Sequence, residues 1–269
     1  MATILDKIFA DKKYELDDTQ RAVSLSQLKD KIRLCSPTLD VRKALDSGSP
    51  RKTRIVAEVK PRSPFKGELR KGCDPLEIAR IYAENGAAAI SVLTEKKYFG
   101  GNLDLFAGAR KAVNVPLLRK DFIFADYQVY ESRASGADMF LLIATWLEKN
   151  QLQDLLSLGR ELGLPALVET HHEKDLEKAF LSGADLIGIN NRDLTTGKTD
   201  LGIARRLIKM AQADPRNILV CESGIHARED VEEFEGLGAR AFLVGESLMT
   251  ARDIPAKLKE LLGEARSHG

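Results

Sequence analysis

Eight short apolar runs are spread along the chain, and each stops abruptly at polar residues capable of chemistry. Ile55–Val59 leads into Lys60-Pro61-Arg62-Ser63, Ala89–Leu93 into Thr94-Glu95, and Pro116–Leu118 into Arg119-Lys120-Asp121. Met139–Ile143 leads into Ala144-Thr145, Pro165–Val168 into Glu169-Thr170, and Leu186–Ile189 into Asn190-Asn191-Arg192. Ile218–Cys221 precedes Glu222-Ser223-Gly224, and Ala241–Val244 precedes Gly245-Glu246-Ser247. A strand buried on both faces reads as a continuous apolar run, and helical segments separate these runs, so the sheet is expected to be parallel. Eight such units closing on themselves make a barrel, with the chemistry at the carboxyl ends of the strands.

The expected fold is therefore α/β, a TIM-type (β/α)8 barrel with an N-terminal helical extension. At 269 residues the whole chain, 1–269, fits one barrel domain, of which 1–50 is the extension. Ile4, Leu5, Ile8 and Phe9, then Leu25, Leu28 and Ile32, have helical spacing, with Ser24 or Ser26 as a start signal. The turn-rich stretch Asp46–Pro50 separates them from the first run, and the extension is expected to close one end of the barrel. Asp74-Pro75 reads as an N-cap with proline in the first helical position, and Lys149–Leu162 is amphipathic. Entry into the runs alternates. Gly86, Gly136, Gly183 and Gly238 precede the even runs, where glycine ends a helix in the left-handed conformation; prolines at 50, 116, 165 and 215 precede the odd ones.

A net charge of +1 gives no reason to expect nucleic acid or a membrane surface as partner. The opening residues carry acids early and lack an unbroken apolar core, so neither a secretory signal nor a membrane span is expected. Cys35, Cys73 and Cys221 are odd in number and far apart, as befits reduced thiols in the cytoplasm. The four histidines offer no metal spacing, and no metal or cofactor is expected.

Charged residues follow the same alternation as the entries. The odd runs end in Glu58 and Lys60, Lys120, Glu169 and Glu222; the even runs end in Thr94, Thr145, Asn190 and Gly245. Side chains alternate along a strand, so Val56, Glu58 and Lys60 share the inward face while Ile55, Ala57 and Val59 face the helices. Inward charges are costly unless they pair or function. Glu58 and Lys60 can hold each other charged; the bland alternative is a structural ion pair. Lys120, in a low-dielectric mouth near Lys60, is expected to have a depressed pKa and so to donate a proton more readily; alternatively it is merely solvated. Glu169 would face both lysines as acid or base, or else cap the following helix. Asn190 offers an uncharged donor and acceptor. The turns Glu222-Ser223-Gly224 and Val244-Gly245-Glu246 bring backbone N–H groups close together where barrels commonly bind phosphate; the bland alternative is tight turns.

Together, Glu58–Pro64, Leu118–Phe122, Leu167–His171, Ile189–Leu194, Cys221–Ile225 and Leu243–Met249, with the Thr94–Gly101 turn, resemble the indole-3-glycerol-phosphate synthases over about Ile4–Leu262. The resemblance implies a carbon–carbon lyase of tryptophan biosynthesis. Its substrate would be 1-(2-carboxyphenylamino)-1-deoxyribulose 5-phosphate, and its products indole-3-glycerol phosphate, CO2 and water, formed without a cofactor. Matching motifs would make Lys120 the general acid, with Glu169 handling protons in the later step and Glu58 and Lys60 assisting. Ser63, Phe99, Asn190, Arg192 and Glu222 would meet the substrate, Arg192 at its carboxylate. Ser223, Gly224, Gly245 and Glu246 would hold phosphate, Glu246 through its backbone N–H with the carboxylate turned away. Association with other tryptophan-pathway enzymes is a further expectation. Two alternatives stand beside this one, a phosphoribosylanthranilate isomerase-like phosphosugar barrel and a barrel that only binds a phosphorylated ligand.

Overall fold

The structure is a computed structural model, and it describes residues 4–46, 53–193, 195–212, 214 and 216–264. The expected turn at 47–50, and the entries at Pro50 and Pro215, lie outside the described residues. Eight parallel strands form a closed barrel: Ile55–Val59, Ala89–Leu93, Leu117–Lys120, Met139–Ile143, Ala166–Thr170, Leu186–Asn190, Ile218–Glu222 and Ala241–Val244. Each pairs with its neighbour in chain order, and the eighth pairs with the first, Val56 lying beside Leu243. Several strands run beyond their apolar stretch, so Lys120, Asn190 and Glu222 are themselves strand residues with fixed backbone. Helices follow the strands as expected, Pro75–Glu84 capped by Asp74 and Lys149–Glu161 among them.

Alternation sorts each strand into two columns. Ile55, Ala57 and Val59 pack outward with the helix faces, as do Leu117, Val168, Ile187 and Cys221. Val56, Leu118, Leu167, Leu186, Val220 and Leu243 fill the barrel interior. Glu58, Lys120, Glu169, Gly188, Glu222 and Gly245 are the next inward positions above them, so an apolar plug supports a polar layer. Gly86, Gly136, Gly183 and Gly238 all have positive φ, 81–108°, and end their helices in the left-handed conformation.

The extension does more than close one end. Its first helix, Ile4–Ala22, lies across the mouth: Phe9 stacks on Trp146 with centroids 4.1 Å apart and meets Phe122 edge-on at 5.3 Å. A capping box at Ser24 opens the second helix, Leu25–Leu34, which packs on Asp126–Ala134. The short third helix, Val41–Leu45, plugs the opposite end, where Arg42 pairs with Asp185 at 2.7 Å ahead of the sixth strand. Beyond the one end expected, the extension also reaches the rim of the mouth. Two apolar clusters in the extension, separated by a polar helix, reach both ends of the barrel. Phe9 is 1% exposed, and Phe9→Ala is expected to cost about 3–5 kcal/mol, read from denaturant unfolding.

Candidate active site

All the residues singled out for catalysis, substrate and phosphate line one cavity at the carboxyl ends of the strands, about 960 Å³ including its open mouth. Glu58, Glu169 and Glu222 are each about 1% exposed. Lys120 Nζ lies 2.9 Å from Glu169 Oε2 and 3.5 Å from Glu222 Oε2, while Lys60 pairs with Glu58. Asn190 Nδ2 donates to Glu169 Oε1 at 3.0 Å, and Asn190 Oδ1 accepts from the Arg192 backbone at 2.9 Å. One amide side chain therefore fixes both the carboxylate and the start of the next loop.

Three carboxylates and two ammonium groups share this layer, and their ionisation is mutually adjusted. Burial works against the Lys120 ammonium, yet the charges of Glu169, Glu222 and Glu58 outweigh it and hold its pKa above that of an ordinary lysine. The expected depression is reversed, because across the barrel Lys120 meets acids closely and Lys60 is engaged by Glu58. Burial pulls Glu169 upward, but Lys120 and then His171 prevail, leaving it ionised below the usual carboxylate range. Burial pushes Glu222 up to about 8, and the neighbouring Glu169 and Glu58 charges reinforce this against Lys120. The hydrogen bond between the two carboxyl groups acts in the same direction, Glu222 keeping the proton and donating it to the ionised Glu169.

That assignment fixes a pH dependence. Between the ordinary value of 4.5 and about 8, the folded chain retains a proton that the unfolded chain releases. Stability from this group is complete below that window and falls as pH rises through it. Glu222→Gln keeps the neutral form and is expected to flatten the slope, measured as denaturation midpoints from pH 6 to 9.

Two glycines make room for these acids. A Cβ at Gly188 would overlap Glu222 Oε1, and one at Gly245 would overlap Glu58 Oε1. Gly245, expected to serve phosphate, thus also leaves the space Glu58 occupies. Where the seventh strand ends, Ser223 has φ 63° and Gly224 φ 81°, two successive left-handed residues that turn the backbone. Asn191, which carries no signal of its own in the sequence, anchors this turn: its Nδ2 donates to Ser223 O at 3.0 Å and Glu222 O at 3.2 Å. Ser247 Oγ ties the seventh and eighth loops together by donating to Ile225 O at 2.8 Å.

Glu246 and Arg192, expected at phosphate and at the substrate's carboxylate, meet each other. Arg192 Nη2 is 2.8 Å from Glu246 Oε2, and Lys66 pairs with the other carboxylate oxygen. Arg192 is engaged by a protein acid, and the Glu246 charge is neutralised by cations from two loops. Ser63 Oγ accepts from Lys66 N at 3.1 Å, so its visible work is shaping the first loop. Phe99 is held at the rim because Glu95, itself buried, accepts from the backbone of Lys97, Tyr98 and Phe99 at 2.7–3.0 Å. Phe122, Phe65 and Ile143 add apolar lining; the sequence signal for Phe122 is an aromatic residue two positions after Lys120. Among the described residues no helix is long and apolar enough to cross a membrane.

The family model described as indole-3-glycerol phosphate synthase matches residues 5–261. The chain belongs to the indole-3-glycerol phosphate synthase family. A synthase of this name from Dehalococcoides mccartyi (strain CBDB1) is 46% identical over 263 residues, covering 96% of this chain and all of the relative. The one from Desulfosudis oleivorans is 51% identical over 210 residues, 78% of this chain and 79% of its own length. That from Roseiflexus sp. (strain RS-1) is 43% identical over 269 residues, 98% and 99% of the two chains. Indole-3-glycerol phosphate synthase is a decarboxylating lyase of tryptophan biosynthesis, and membership sets aside the isomerase alternative.

Proposed function

We propose that this mouth closes the indole ring of 1-(2-carboxyphenylamino)-1-deoxyribulose 5-phosphate, with Lys120 as the general acid. The observation carrying this is the Lys120 ammonium held 2.9 Å from Glu169 above the apolar plug, in the same cavity as the Ser223–Gly224 and Gly245–Glu246 turns. The anthranilate ring carbon bearing the carboxylate attacks the ribulose carbonyl, and Lys120 transfers a proton to the oxygen as it becomes negative. An alkoxide is far more basic than any lysine amine, so the raised Lys120 pKa still leaves this transfer downhill. The carboxylate leaves as CO2, and its electron pair restores the aromatic ring. Protonation of the new hydroxyl expels water; Glu169 takes the proton from the adjacent carbon, completing indole-3-glycerol phosphate. Glu58 and Lys60 assist in these proton movements, and Lys60 meets a substrate anion.

Phosphate is assigned to the backbone N–H groups of Ser223, Gly224, Gly245 and Glu246. Pairing of the Glu246 carboxylate with Lys66 and Arg192 supports this, because its repulsion of a dianionic ester is offset. Phe99 packs on the substrate's ring, Ser63, Asn190 and Glu222 orient the substrate, and Arg192 approaches its carboxylate while Nη2 stays on Glu246, a guanidinium having five donors. Residues 1–50 are assigned to the barrel as an extension, with no domain of their own. The unpaired cysteines Cys35, Cys73 and Cys221 support action in the cytoplasm. The purified chain, given the carboxyphenylamino-ribulose phosphate, is expected to produce indole fluorescence with one CO2 per turnover. Binding without fluorescence would overturn the reading.

A further inference from the structure

The ammonium of Lys12, on the N-terminal helix, is buried to 3% exposure and stands outside the cluster at the centre of the cavity. It lies 2.9 Å from Asp121 Oδ1 and 2.9 Å from Glu15 Oε2. Asp121 immediately follows Lys120 and lines the same cavity. Its carboxylate is otherwise held by Thr94 Oγ1 at 2.6 Å, Arg119 Nη2 at 3.1 Å and its neighbour's Phe122 N at 2.9 Å. Arg119 is shared, since its Nη2 is also 2.7 Å from Glu131 Oε2. Without Lys12, then, a buried carboxylate one residue from the acid would keep only half of a cation. The residue before it, Lys120, brings another ammonium to the lining of the same cavity.

We propose that Lys12 is a positioning residue for Lys120: it neutralises Asp121 from the extension side, so that the Lys120 ammonium is left to Glu169 and Glu222. Two ion clusters meet at adjacent residues of one strand end, and Lys12 keeps them separate. Burial alone would lower the Lys12 pKa, but the charges of Asp121 and Glu15 raise it, so it stays an ammonium at neutral pH. The effect on chemistry is geometric, since displacing an acid by about 1 Å from its acceptor costs up to about 10²-fold in rate. This inference rests on Lys120 being the acid.

Steady-state kinetics on the full chain test it. Lys12→Met is expected to lower kcat by about tenfold or more with KM changed by less than about threefold, and Lys12→Arg to restore most of kcat. The double variant Lys12→Met/Asp121→Asn removes the competing carboxylate along with its partner and is expected to turn over faster than Lys12→Met alone. A role confined to fastening the helix predicts the reverse, because the double variant loses more contacts. In a Lys120→Ala background Lys12→Met should change kcat no further; if Lys120→Ala itself retains turnover, it is the reading of the acid that fails. Wild-type kcat in Lys12→Met, or a loss not relieved in the double variant, would overturn the proposal. Should Lys12→Met prove insoluble, the comparison passes to Lys12→Arg against Lys12→Gln/Asp121→Asn, where kcat tenfold below wild type in Lys12→Arg counts equally against it.

Discussion

Lys120→Ala is expected to reduce kcat by about 10²–10⁴-fold while KM moves little and the barrel still folds. The size follows from what the ammonium supplies. It is the proton donor to the carbonyl oxygen, and its charge sits where negative charge develops. Folding should survive because the residues beneath Lys120, such as Leu118 and Leu167, belong to the apolar plug and are untouched. The buried acids left behind can adapt. Glu169 is now held ionised chiefly by Lys120 against burial, so on losing it the carboxyl takes up a proton. The variant should therefore lose stability as pH rises through the new, higher Glu169 value, whereas the wild type has no such slope from this group above the ordinary carboxylate range. Product fluorescence under saturating substrate gives kcat, and a denaturation series from pH 5 to 9 gives the second signature. Turnover near wild type would remove Lys120 from the mechanism.

Glu169→Gln is expected to lower kcat by about 10²-fold or more, for a different reason. The amide keeps the shape and can still hydrogen-bond Asn190, but it cannot accept a proton during dehydration. It also removes the largest of the charges that raise Lys120, so the Lys120 pKa should fall toward that of an ordinary lysine. The basic limb of kcat/KM, which reports the free enzyme, should consequently move to lower pH than in wild type. Loss of turnover with an unmoved basic limb would keep Glu169 as a base but contradict its hold on Lys120. An unchanged kcat would exclude it from both roles.

Much of this arrangement is legible along the chain because the barrel converts linear order into spatial order. Each apolar run became a strand, and the ends at Lys60, Lys120, Glu169, Asn190, Glu222 and Gly245 became part of the mouth, whereas Thr94 and Thr145 turn to Asp121 and Asp175; alternation alone placed Val56 with Glu58 and set Ile55 apart from it. What the linear order lacks is distance across the barrel. Glu169 is expected to face both lysines from the fifth strand, but nothing in the sequence says that Glu58 takes Lys60 and that the contact with Lys120 is close enough to raise one pKa and lower the other. The spaces left by Gly188 and Gly245 are similar, since each accommodates a carboxylate from a neighbouring strand. Arg192 and Glu246, read separately as groups for the substrate, are joined because the ends of the sixth and eighth strands bring side chains of opposite charge together. Asn191 is silent in the sequence because it points the opposite way from Asn190, and its bonds to the backbone of the next strand end have no counterpart in linear spacing.

The aromatic seat of the first helix has a consequence for how the molecule is made. Phe9 leaves the ribosome well ahead of the rings it rests on, since Phe122, Phe124 and Trp146 are translated more than a hundred residues later. At about 5–20 residues per second, that helix waits on the order of ten seconds with its greasy stripe uncovered. A nascent chain stalled before Trp146 should therefore be a substrate for holdase chaperones, and release of the chaperone should coincide with emergence of the fourth strand and the loop behind it.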